Sequence, residues 1–168
     1  MNWFQFGVQW LHVLFAIGWF GSVIGIGVVT MPIVMKMGPA NMREFFQGFD
    51  QRQKIPTAFG VMTVALGIIR GTLLGPIKSV SFLLGTAYGK TWLVALAAAL
   101  FSLAFPFFVI EPRMKRMLAA DQLWQPGPGG GRSAELDLTM RSLNRTAPLG
   151  MVGMLVAFTC MILMRFGL

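Results

Sequence analysis

The stretch Trp10–Met35, WLHVLFAIGWFGSVIGIGVVTMPIVM, limits what this chain can fold into more than any other. Its only ionisable side chain is His12, the single histidine of the protein. About 20 apolar residues at 1.5 Å rise cross a hydrocarbon core of roughly 30 Å, so the stretch is long enough to span a bilayer as a helix. Small residues recur along it at helical spacing: Gly18, Gly21, Ser22 and Gly25. Gly21 and Gly25 form a GxxxG pair, a pattern that lets a second helix approach closely in lipid. The segment reads as a membrane helix with one packing face and one buried imidazole.

The remainder of the chain agrees with that reading. Of its 168 residues 55% are hydrophobic and only 12% charged, and the mean hydropathy is +0.67. The charged share is about half that of a soluble domain, which places the chain among polytopic membrane proteins. The net charge of +8 then belongs to cations that flank membrane helices and meet anionic headgroups, and nucleic acid is not the expected partner. Cys160 stands alone in an apolar run, so neither an intramolecular disulfide nor a cysteine-based metal site is expected. The N-terminus lacks the basic region and small-residue cleavage site of a signal peptide.

The expected fold is all-α, a four-helix transmembrane bundle in one integral membrane domain over residues 1–168. Its spans are expected near 8–35, 56–74, 89–110 and 148–165. Ahead of the first span, residues 1–7 are aromatic, with Trp3 as an interfacial anchor. Gln5, Gln9 and His12 fall at i, i+4 and i+7, and Trp19 continues the stripe one heptad below His12. Lipid cannot satisfy such groups, so the stripe is expected to face the bundle interior. NMREFFQGFDQRQK, in the first loop, alternates charge with Phe45, Phe46 and Phe49 and predicts a short interfacial helix. Pro56 suits the first turn of the second span, and Gly75-Pro76 ends it. The loop from 75 to 89 is short, with Lys78 its one charge before the third span. Pro106 predicts a kink in that span. Residues 118–145 form an aqueous linker, in which QPGPGGGR is flexible and SAELDLTMRSLNR an amphipathic helix capped by Ser133.

Charge sets the orientation. Lys36, Arg43, Arg52, Lys54, Arg113, Lys115, Arg116, Arg132, Arg141 and Arg145 belong to the first and third loops. Arg70, Lys78, Lys90 and Arg165 belong to the other side. Ten against four puts the first and third loops in the cytoplasm of a bacterial plasma (inner) membrane and both termini outside.

In that topology His12, Arg70, Tyr88 and Lys90 reach the same outer depth from three segments. A neutral imidazole ligates haem iron or copper, and cations pair with haem propionates. Met161 and Met164, on the outer half of the last span, offer thioethers to the same metal. Each residue also has a plainer use. A histidine near a helix end often only bonds a carbonyl, Arg70 and Lys90 reach headgroups by snorkelling, and methionine is common filler. No catalytic triad, Walker loop, CxxC or HExxH is present. Glu44, Asp50, Glu111, Asp121, Glu135 and Asp137 all fall on the cytoplasmic side, so no mid-membrane carboxylate relay is expected.

LHVLFAIGWFGSVIG resembles the first helix of small membrane proteins in the copper resistance protein D (CopD) superfamily. TAYGKTWLVALAAAL resembles the start of one of its later helices. VIEPRMKRM and LNRTAPLGMVGMLVAFTCMILMRFG resemble the last two spans of its short four-helix members. The likeness covers most of the chain and implies a four-helix membrane fold that handles copper or haem. A distant similarity to the HemJ-type protoporphyrinogen oxidases implies His12, in its LH context, as a haem b ligand, with Lys90 nearest that family's third-helix lysine. Since His12 is the only histidine, the likeness implies single-histidine ligation at most. Two functions are carried forward. One is haem or copper binding through His12. The other is a non-catalytic accessory subunit, packed through its glycine face as a homo-oligomer or within a larger membrane complex. A transporter is least favoured, because the spans hold no midplane polar pathway.

Overall fold

The computed structural model describes residues 2–52, 54–127 and 130–166. Met1, Gln53, Gly167, Leu168 and the Pro128-Gly129 pair of the predicted flexible linker lie outside the described residues. Every regular element among the described residues is helical. They are α1 (Trp3–Val34), α2 (Pro39–Arg52), α3 (Lys54–Gly71), α4 (Val80–Gly85), α5 (Ala87–Ala119), α6 (Ala134–Thr146) and α7 (Pro148–Arg165). A 3-10 turn, Asp121–Trp124, precedes α6.

Three helical runs are long and apolar enough to cross a membrane: α1, α5, and α6 continued by α7. The 18 residues of α3 complete the packing, with Lys54 at one end and Arg70 at the other. α1 lies along α3, α7 lies along the first part of α5, and α3 runs beside α5. In lipid the hydrophobic effect does not drive helices together, so close approach at small residues has to. A methyl group added to Gly18 would meet the Phe59 ring of α3 at 2.8 Å, and one on Gly60 would meet Trp19 and Leu103. Gly153 of α7 faces Ser102 and Phe101 of α5, and the Ser102 hydroxyl lies 2.9 Å from the Gly150 carbonyl, to which it donates. The GxxxG pair is not used this way. Among the described residues nothing lies within 4 Å of a Cβ built on Gly21 or Gly25, so that face turns away from them.

Several boundaries differ from expectation for local reasons. The Asn2 side chain accepts from the Phe4 amide at 3.1 Å, so α1 starts at Trp3 and residues 3–7 are its first turns. α3 stops at Gly71, three residues early. The loop after it contains the short helix α4, capped by Ser79, and Thr86 then caps α5 through the Gly89 amide at 3.0 Å. The kink expected at Pro106 is an opened, π-helical turn over Pro106–Ile110, and a second spans Gly25–Thr30 of α1. Each turn is followed two residues on by a proline, Pro112 and Pro32. Proline donates no hydrogen bond and its ring crowds the carbonyl four residues back. Widening the preceding turn makes room: the Met31 amide bonds Ile26 and the Glu111 amide bonds Pro106, both five residues back.

The loop end is compact. α2, the last turns of α5, the 3-10 turn and α6 close over a core that includes Val34, Met42, Phe46, Met117, Leu136 and Met140. Phe45 and Phe46 of the predicted interfacial helix pack into this core rather than spreading on a surface. The Trp124 indole donates to the Met117 carbonyl at 3.0 Å, which satisfies its buried N–H. Ser133 caps α6 as expected, accepting from the Leu136 amide at 3.2 Å. The described part of the linker is tied down: Gly127 N–H bonds the Gly131 carbonyl at 2.8 Å, and Arg132 donates to the Met35 carbonyl at the end of α1. Gly130, at φ 78°, takes a backbone conformation that side chains rarely adopt.

Candidate functional site

At the opposite end, which carries both described termini, the helix pairs separate. α1 and α7 meet where Phe20 stacks on Phe158, ring centroids 5.8 Å apart. The result is a cavity of about 830 Å³ between α1, α3, α5 and α7. Small-molecule and cofactor sites occupy roughly 300–1,000 Å³. The ALAAAL stretch of α5 helps create the volume, because Ala95 and Ala99 are short where longer side chains would fill it. Val13 and Ile17 of α1 and Ile162 of α7 continue the apolar wall.

Polar groups enter this apolar space at chosen points. His12 Nδ1 lies 2.9 Å from the Thr63 carbonyl of α3. A carbonyl only accepts, so Nδ1 carries a proton, and in the neutral ring Nε2 then keeps its lone pair. Nε2 makes no hydrogen bond among the described residues, and His12 lines the cavity. The local sequence of α3 makes this contact possible. The Thr63 hydroxyl is turned back to the Phe59 carbonyl at 2.8 Å, and one turn further on Gly67 has no side chain. A Cβ on Gly67 would stand 3.1 Å from His12 Cε1, so glycine makes the space for the ring.

Arg70 lines the cavity three residues beyond Gly67, and its Nε donates to Gln9 Oε1 at 3.0 Å. Tyr88 and Trp92 come from the start of α5, with the Trp92 indole seated directly on Gly71. Met161 and Met164 line the cavity from α7. Five of the six sequence-derived residues are therefore brought together: His12, Arg70, Tyr88, Met161 and Met164. Lys90 is not among the lining residues and is exposed. It follows Tyr88 by two positions, about 200° around the helix, so it leaves on another face. Gln5 of the polar stripe is also exposed and outside the lining, because α1 has already passed the end of α3 there.

Gln9 and Arg165 were not singled out as site residues from sequence, yet both line the cavity. The signal for Arg165 was its position four residues after Met161, on one helix face. Together Arg70 and Arg165 place two cations at an apolar cavity whose walls carry no acid.

The donor set separates the two groups considered for this site. No cluster of three His, Cys, Asp or Glu side chains exists among the described residues. Copper would have one imidazole and the thioethers of Met161 and Met164. Haem b would have a free imidazole Nε2, an apolar cavity of suitable volume and two guanidinium groups for its carboxylates. No family model, curated protein or solved structure matches the chain.

Proposed function

We propose that this chain is an integral protein of a bacterial plasma membrane that binds haem b through His12 Nε2. The observation that carries the reading is the Nδ1–H bond to the Thr63 carbonyl. Metal-binding histidines characteristically donate their second ring nitrogen to a carbonyl or carboxylate, which fixes the tautomer and raises ligand basicity. Arg70 and Arg165 would hold the propionates, and Tyr88 and Trp92 would close the apolar walls. Bound haem supplies one-electron chemistry. The chain's own residues orient the ligand nitrogen, exclude lipid tails from it and compensate two negative charges. Of the two residues that the HemJ-like resemblance implies, His12 enters this reading and Lys90, exposed and outside the lining, does not.

In this reading the chain crosses the bilayer four times. α3, at about 27 Å for 18 residues, matches a hydrocarbon core of roughly 30 Å, with Lys54 and Arg70 reaching the two interfaces. The ten-to-four distribution of cations supports an orientation with the loop end in the cytoplasm and the cavity in the outer leaflet.

Detergent-purified protein mixed with haem b and then freed of unbound haem by gel filtration should carry a Soret band that His12→Ala abolishes. A colourless protein fraction, or a band unchanged in His12→Ala, would overturn the proposal. The orientation has its own measurement: with Cys160 replaced by serine, an impermeant thiol reagent should label Ser81→Cys on intact cells, and Ser142→Cys only after permeabilisation.

The open face at Gly21 and Gly25 favours a second reading, in which the chain is an accessory subunit that packs there against another membrane helix. Co-purification of a partner or second copy, lost in Gly21→Leu, would support it. A lone monomer unaffected by that substitution would count against it.

A further inference from the structure

Arg113 and Arg116 leave α5 beyond its opened turn and face α6 across a second depression of about 450 Å³. Thr139 and Ser142 of α6 line the same depression; the Thr139 hydroxyl donates to the Glu135 carbonyl at 2.9 Å, which leaves the Ser142 hydroxyl as the donor for a ligand. Leu123, Leu143 and Leu138 also line it, and Leu138 is 68% exposed. Two guanidinium groups and the Ser142 hydroxyl beside exposed leucine match an amphiphile with an anionic head.

Three of the neighbouring acids are engaged with other cations. Glu111 is held by Lys115 at 2.5 Å, Asp137 by Arg132 at 2.7 Å, and Asp121 by Arg43. Arg113 uses one Nη1 to donate to Thr146 at 3.1 Å, and Arg116 makes no hydrogen bond or ion pair among the described residues. A guanidinium has five donors in a planar fork that fits phosphate.

The depth of the depression favours lipid over a soluble anion. Thr146, held by Arg113, directly precedes the turn into apolar α7. On α5, Phe108 is 80% exposed and lies five residues before Arg113, about 7.5 Å along the helix axis. The arginines therefore sit where two apolar helices leave the hydrocarbon, at the level of lipid phosphates. We infer that the cleft formed by Arg113, Arg116, Thr139 and Ser142 binds the phosphate of an anionic phospholipid. The inference is independent of haem at the other end and uses only the crossing of α5 and α7.

Native mass spectrometry of the full chain, supplied with phosphatidylglycerol or phosphatidylcholine of equal acyl length, tests this. Selective retention of phosphatidylglycerol is expected, weakened about five-fold by each of R113Q and R116Q. R141Q, an exposed cation on the same helix as Thr139 but outside the cleft, should leave retention unchanged. Equal retention of the two lipids, an equal loss in R141Q, or displacement of the lipid by inorganic phosphate would overturn the proposal. Should a glutamine variant lose its helical circular dichroism, R113K and R116K replace it. These keep the charge without the planar fork; weaker retention is expected, and unchanged retention overturns the role of the guanidinium geometry.

Discussion

The two ends of this molecule are packed by different physics. At the loop end, Val34, Met42, Phe46, Met114, Met117, Leu136 and Met140 are each no more than 3% exposed. At the opposite end the same chain leaves an 830 Å³ space between its helices. Water drives the first: α2, α6 and the 3-10 turn lie beyond the apolar rods, where burying hydrocarbon is favourable by about 25 cal/mol per Å². Between rods in lipid that term is nearly absent, because a void is lined by groups as apolar as the surrounding tails. Contacts there depend on glycine and on single hydrogen bonds such as His12 to Thr63. The comparison teaches that the dense end serves as a clamp that sets the helix spacing, while the loosely packed end is free to hold a ligand.

The sharpest way to break that comparison is to empty the clamp. Phe46→Ala should cost about 3–5 kcal/mol, read as a large drop in the thermal unfolding midpoint in detergent. If Phe46→Ala unfolded no more easily than wild type, the clamp would not be where the stability resides. Gly71→Ala probes the other end, since its methyl would overlap the Trp92 indole. A loss of about 1–3 kcal/mol is expected from such overpacking, and a neutral result would mean that the cavity end yields freely. Smaller still, His12→Ala should cost about 0.6 kcal/mol of stability, the average for a hydrogen bond between membrane helices. Its effect on haem binding should be complete, so a destabilisation as large as that of Phe46→Ala would assign the histidine to structure instead.

Gly67→Ala sharpens the same distinction. The added methyl crowds His12 Cε1, so haem affinity should fall while the unfolding midpoint moves by less than in Gly71→Ala. Parallel losses in the two measurements would erase the separation between fold and site.

Much of this was legible in the residues. The polar stripe pointed His12 inward, and the spacing of Arg70, Tyr88, Met161 and Met164 along their spans put them at one depth. Ser133 and the SAELDLTMRSLNR pattern located α6, because capping and amphipathicity are local properties. Other features depended on partners distant in sequence. Lys90 shares a depth with Tyr88, but its direction depends on the rotation of α5, which the seat of Trp92 on Gly71 helps set. The charged phenylalanine segment read as an interfacial helix, yet its rings found a core built from the ends of α1, α5 and α6. The GxxxG pair was visible, but Gly18, Gly60 and Gly153 make the contacts.

By itself the order of residues determined that this chain is helical and where its long apolar rods lie. Backbone groups in a bilayer must be satisfied within their own helix, so length and apolarity are sufficient to specify a rod. Only the tertiary structure decided which faces meet, that two prolines open the turns before them, and that a cavity remains beside His12. Those outcomes depend on close approach between segments far apart in the chain, where one missing methyl group at Gly67 determines whether an imidazole fits.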